Sequence, residues 1–241
     1  TRPLAAKGLA TSTGLTGKGQ IIGLADSGLD TGNLNDLHPD LQSVPGQMPK
    51  VVLLKSWAGR AVPDDPLGHG THMAATVVGT GAASEGKWQG IAPGASLYFQ
   101  ALLDGGTKLE PPADLQQLFY PAYSAGVRVH INGWGGGNNT YGTSTAQIDD
   151  FVRRYPDFLP IVAAGNKGPT SRSLTTEANS KNALVVGASQ SVRPALSPEA
   201  VDAAKVAGFS SRGPAGDGPR DPAGLRPRPG PRRPPRDRPV A

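Results

Sequence analysis

The 241-residue chain contains no cysteine. Disulfide frameworks, thiolate metal sites and cysteine nucleophiles are therefore excluded, whereas the compartment is left open, because secreted proteins need not carry cysteine. Long apolar runs are missing too. No stretch approaches the ~20 residues that cross a bilayer, so no membrane partner is expected. The chain begins at Thr1 with neither an initiator methionine nor a signal-peptide pattern, as a processed or excised segment would. Net positive charge is scarce until the end: residues Gly213 to Ala241 hold seven Arg against three Asp, which supplies +4 of the net +5. The basicity thus belongs to the tail, and nucleic acid is not expected as a partner of the body.

With 37% hydrophobic residues, the chain can bury one sizeable α/β core. Gln20 to Asp26 (Q-I-I-G-L-A-D) is a short apolar run that ends on a carboxylate, so it reads as a buried strand with Asp26 at its C-terminal end. Ligands in open parallel sheets gather at such ends. Further strands are expected at Ser96–Leu103, Val127–Ile131, Phe158–Gly165, Ala183–Ala188 and Lys205–Phe209. Between them, Leu115, Leu118, Phe119 and Ala122 recur at helical spacing, with Pro121 expected to kink or end that helix. A second helix is expected to open at Ser144, where Ser-Thr-Ala-Gln reads as a capping box with Gln147, and to stop before Pro156. Strands alternating with helices imply a parallel sheet covered on both faces. From Gly213 onward the sequence holds nine of the 24 prolines and few apolar side chains, so a disordered or extended tail (213–241) is expected after a body of residues 1–212.

The stretch Leu67 to Val78 (L-G-H-G-T-H-M-A-A-T-V-V) delivers an imidazole to the first turn of an apolar helix. Met73, Ala74, Val77 and Val78 can bury one face while His69 stays at the open N-terminal mouth, and small neighbours would let a substrate backbone approach. Standing alone, His69 and His72 would also suit ordinary polar residues at a helix start. An H-x-x-H metal pair is disfavoured, because no third ligand follows at usable spacing, and no metal is assigned. Asp26-Ser27-Gly28 and Asp30-Thr31-Gly32 each resemble an aspartic-peptidase triplet, but two carboxylates four residues apart on one chain cannot face each other from separate lobes.

Taken together and in order, the motifs resemble those of the subtilisin-like serine peptidases, the subtilases. They are A-D-S-G-L-D-T-G around Asp26, G-H-G-T-H-M-A-A-T around His69, G-I-A-P-G-A-S-L from Gly90, N-G-W-G-G-G around Trp134, V-A-A-G-N-K-G-P around Asn166, K-N-A-L-V-V-G-A from Lys181 and F-S-S-R-G-P-A-G-D-G from Phe209. Independent motifs in the right order multiply their specificity. The match is nearest to the secreted alkaline branch that often carries a C-terminal β-sandwich, which implies an extracellular peptidase.

That resemblance implies a three-layer α/β fold, incomplete at the C-terminus, and a distribution of roles. His69 would be the general base and Asp26 the group that fixes its tautomer. Asn166 would donate to the tetrahedral oxyanion. Gly133, Trp134 and Gly135 would pair with an extended protein or peptide substrate, and Ala163, Ala164 and Gly165 would form the opposite wall of the specificity pocket. No cofactor is implied; structural calcium is possible by family, with no site assignable. Two departures stand out: Gly133 where the branch usually has serine, and Ala75 where subtilases usually have glycine, an extra methyl expected to overpack a close contact by about 1 to 3 kcal/mol.

The nucleophile is the gap. Subtilases carry it in a G-T-S-M-A motif well beyond the position of Asn166, and no such motif follows here. Gly142-Thr143-Ser144-Thr145-Ala146 imitates it but precedes Asn166, and Ser144 is already expected to cap a helix. The abrupt change after Asp217-Gly218 fits a shifted reading frame. Three readings follow: a serine endopeptidase domain lacking its serine segment and inactive alone, a peptide-binding remnant, or a polyanion binder acting through the arginine tail.

Overall fold

The computed structural model describes residues 14–190 and 202–217. The arginine- and proline-rich tail expected to be disordered lies, from Gly218 on, outside the described residues. Among the described residues six strands form one sheet: β1 (Ile21–Asp26), β2 (Val51–Ser56), β3 (Ser96–Ala101), β4 (Val129–Asn132), β5 (Leu159–Ala163) and β6 (Leu184–Val186). Every pairing is parallel, and the order across the sheet is β2-β3-β1-β4-β5-β6. Among the described residues three α-helices accompany it: α1 (His69–Val78), α2 (Gln116–Ser124) and α3 (Thr143–Arg154).

The two faces follow from the two-residue period of the strands. On one face Leu24, Leu97 and Phe99 meet Ala74 and Val78 of α1. On the other, Ala25, Tyr98 and Val162 meet Leu118, Phe119 and Ala122 of α2 and Ile148 and Phe151 of α3. All six residues of β3 are buried, as a strand covered on both sides requires. Burying each large apolar side chain contributes about 1.5–3 kcal/mol, so Phe99, Phe119 and Phe151, all fully buried, anchor the three layers. This is the expected subtilisin-like α/β architecture.

Local expectations are corrected in three places. Helix α2 does not end at Pro121 but runs on to Ser124, with the Ala125 N–H reaching the Pro121 carbonyl at 3.1 Å. The bond that proline removes is the one to Gln117, which is exposed, so water can take its place. Ser144 does not cap α3. The helix starts one residue earlier after Gly142, whose N–H reaches Thr145 Oγ1 at 3.3 Å, while Ser144 Oγ donates to Glu177 Oε1 at 2.9 Å. Gln147 spans to the entry of α2, accepting from Leu115 N and donating to Ala113 O. Lys205–Phe209 forms no strand; Val206 makes a single antiparallel bridge to Ser189.

Because all strands are parallel, their C-terminal ends share one edge. There β1 delivers Asp26, β4 runs into Gly133, and β5 ends on Ala163. Described residues past Arg212 fold onto this body: Asn139 Nδ2 donates to Pro214 O at 2.8 Å, Gly216 N donates to Asn179 Oδ1 at 2.7 Å, and Lys181 pairs with Asp217 at 2.9 Å.

Candidate active site

Asp26 is the last residue of β1 and is wholly buried. His69 is the first residue of α1, with a side chain 55% exposed. The fold brings them together: His69 Nδ1 lies 2.6 Å from Asp26 Oδ1. A carboxylate can only accept, so Nδ1 carries the proton and Nε2 presents a lone pair on the open side of the ring. Burial raises the pKa of the Asp26 carboxyl, opposed first by the His69 hydrogen bond and then by the Ser27 N–H.

Neighbours hold this pair in place. Helix α1 follows Gly68, which adopts a left-handed conformation and offers no capping side chain, so its first N–H groups need partners from elsewhere. Gly70 N donates to Ser27 Oγ at 2.8 Å, and Thr71 N donates to Asp65 Oδ2 at 2.8 Å. Ser27 Oγ in turn donates to Asp65 Oδ1 at 2.7 Å, and Thr71 Oγ1 donates to Asp65 Oδ2 at 2.6 Å. A negative group is favourable at a helix N-terminus, and Asp65 supplies it. Contact is close enough that a Cβ on Gly70 would lie 2.3 Å from the Gly28 carbonyl, and one on Gly28 would lie 1.9 Å from the Asp64 carbonyl. At the far end of α1, the buried Lys50 ammonium donates to the carbonyls of Val78, Pro93 and Ala95 at 3.1, 2.6 and 3.0 Å. Burial lowers its pKa.

The remaining residues expected at the site lie along the same edge. Gly133 N donates to Ala25 O at 2.9 Å, continuing the pairing of β4 with β1. Trp134 is buried in the core beneath the edge, and Gly135 packs against Thr175 and Glu177. Among the described residues, no hydrogen bond engages the backbone of Trp134 or Gly135. Ala163 is exposed and Ala164 is buried in the core, with its N–H on Val186 O at 2.8 Å. Gly165 turns with φ +112°, backed by Ser211 and Thr175. Asn166 is exposed, with no hydrogen bond to another described residue. Ala75 is only half-buried; the close approach at that level is made by Gly90, where a Cβ would lie 2.8 Å from the Ala75 carbonyl.

Residues 17–223 match the model of the subtilase family, Peptidase_S8. The chain belongs to the subtilase family. Among curated relatives, the serine protease/ABC transporter B family protein tagB of Dictyostelium discoideum is 35% identical over 188 residues, covering 73% of this chain and 10% of that protein. Serine protease AprX of Bacillus subtilis (strain 168) is 31% identical over 210 residues, covering 83% of this chain and 44% of that one. The chain therefore spans less than half the length of either relative. The solved structure of S41 psychrophilic protease superposes with a TM-score of 0.58 at 25% identity, over 88% of this chain and 66% of that one. Family and fold thus agree on a subtilase domain.

Several parts of the candidate site were missed from sequence. Asp65 carried a signal, as an acid just ahead of the G-H-G-T-H helix start, whereas the 38-residue reach back to Ser27 carried none. Glu177, whose Oε2 accepts from Gly136 N at 3.1 Å while Oε1 holds Ser144, buttresses the glycine edge from a different element. No described grouping of three or more His, Cys, Asp or Glu side chains could hold a metal ion. No helix among the described residues is long and apolar enough to cross a membrane.

Proposed function

We propose that this chain is the aspartate–histidine part of a secreted serine endopeptidase that hydrolyses peptide bonds in extended protein substrates. The observation that carries this reading is the 2.6 Å contact from His69 Nδ1 to the buried Asp26 Oδ1. With its proton held at Nδ1, the imidazole can accept a serine proton at Nε2 and later return it to the leaving amine, while Asp26 stabilises the imidazolium between the two steps. Asn166 acts as the oxyanion donor, and the lack of a hydrogen bond from it to any other described residue supports that role. Substrate adds as a strand along Gly133, Trp134 and Gly135, opposite Ala163, Ala164 and Gly165.

None of the described serines supplies the attacking hydroxyl, and no G-T-S-M-A motif follows Asn166 anywhere in the sequence. Ser144 Oγ is committed to Glu177, Ser27 Oγ to Asp65, Ser210 Oγ to Ala188 N and Ser211 Oγ to Lys167 N. Treatment of the 241-residue chain with a fluorophosphonate tests this. The expected result is no stoichiometric adduct; an adduct mapped to Ser144 or to any other described serine would overturn it.

A second reading, peptide capture without turnover, is favoured by the unengaged Trp134 and Gly135 backbone. A fluorescein-labelled extended decapeptide that bound reversibly and stayed intact would support it.

A further inference from the structure

Asp26 uses its two oxygens unequally. Oδ1 takes His69 Nδ1 at 2.6 Å and Ser27 N at 2.7 Å, with Ser27 Oγ more distant at 3.3 Å. Oδ2 is buried and has no hydrogen-bond partner among the described residues. An unpaired buried oxygen is unfavourable, so something must hold the carboxylate in this orientation.

Gly133 stands where that oxygen points. A Cβ on Gly133 would lie 1.8 Å from Asp26 Oδ2 and 2.8 Å from Cγ, with nothing else nearer than the Ala25 carbonyl at 3.6 Å. No left-handed backbone angle demands glycine at this position, so space rather than conformational freedom is the reason for it. Nor can the backbone withdraw easily, because its N–H is tied to Ala25 O at 2.9 Å. Any side chain at 133 must therefore displace Oδ2. Turning the carboxylate to do so carries Oδ1 away from His69.

We propose that Gly133 is a positioning residue for the relay: the volume it leaves empty seats Asp26 Oδ2 and so fixes the rotamer in which Oδ1 alone holds His69 and Ser27. This rests on the aspartate–histidine reading above and gives Gly133 a role apart from substrate pairing. The bond to His69 is the largest influence opposing the burial-driven rise in the Asp26 pKa, so a small rotation matters to the charge that Asp26 carries.

The test is a double-mutant cycle on the 241-residue chain with a spectroscopic readout. Gly133→Ala should lower the melting temperature by about 5 °C when Asp26 is present and leave it almost unchanged in an Asp26→Ala background, where Oδ2 and Cγ are gone. In proton NMR, the downfield His69 Nδ1–H resonance should shift or vanish in Gly133→Ala. It should persist in Gly136→Ala, a control in the same segment where a Cβ meets nothing within 4 Å. An equal loss of stability in both backgrounds, or an Nδ1–H resonance unmoved by Gly133→Ala, would overturn the proposal. If the parent chain lacks that resonance, the aspartate–histidine relay fails, and the stability cycle alone decides whether Gly133 seats Oδ2.

Discussion

The two halves of the candidate site are built to different standards. Around Asp26 and His69, almost every polar atom is committed: Ser27, Asp65, Thr71 and the first N–H groups of α1 form one connected network, and glycines 28 and 70 allow backbones to touch. Along Gly133–Gly135 and Ala163–Asn166 the strand ends stay paired through Gly133 N and Ala164 N, but the backbone of Trp134 and Gly135 and the amide of Asn166 make no hydrogen bond to a described residue. The difference teaches what each half has to do. A relay that moves a proton needs its groups fixed beforehand, because reorganisation during the reaction would cost rate. A surface that receives an extended chain must instead keep its hydrogen-bonding capacity open.

The comparison can be broken most forcefully at Trp134. It lies on the open half yet belongs to the core, so Trp134→Ala should cost about 3–5 kcal/mol of unfolding free energy in urea denaturation, more than any neighbour on that edge. A cost below about 1 kcal/mol would mean that the edge is not anchored in the core. Next is Asp65→Ala, which removes the acceptor for Ser27 Oγ, Thr71 N and Thr71 Oγ1 at once. About 2–3 kcal/mol of destabilisation is expected, together with broadening of the His69 resonances in NMR.

A buried histidine sharpens the contrast. His130 is fully buried, with Nε2 2.8 Å from Gln100 Oε1, and burial lowers its pKa to about 3 from an ordinary 6.5. The unfolded chain thus binds a proton that the folded chain refuses. Its contribution to stability is whole above pH 6.5 and is lost as pH falls toward 3, by about 1.4 kcal/mol per pH unit. Melting curves from pH 7 to 4 should show this limb, and His130→Asn should flatten it. The smallest effect belongs to Asn166→Ala, expected within about 0.5 kcal/mol of the parent in the same denaturation assay, because the side chain bonds to nothing described.

Sequence disclosed the residues whose motifs are contiguous. Asp26 ends an apolar run and His69 opens an apolar helix, so both could be placed on the right elements at the right edge. What it did not disclose depends on atoms far apart in the chain. Ser144 looked like a helix cap, but Glu177, 33 residues on, competes for its hydroxyl and leaves the cap to Gly142. Pro121 was expected to kink or end its helix; the helix runs on, because the bond that proline removes lies on the wet side, where its loss is tolerated. Gly133 was legible as part of a glycine-rich edge; that its missing Cβ makes room for a carboxylate 107 positions earlier was not.

The central claim is that a buried Asp26 holds the His69 proton at Nδ1. Nitrogen-15 NMR of the imidazole tests it most directly, by reading which ring nitrogen is protonated above neutral pH. The expected result is Nδ1–H in the parent chain and a proton moved to Nε2 in Asp26→Asn, where an amide N–H would face Nδ1. The same tautomer in both proteins would contradict the account.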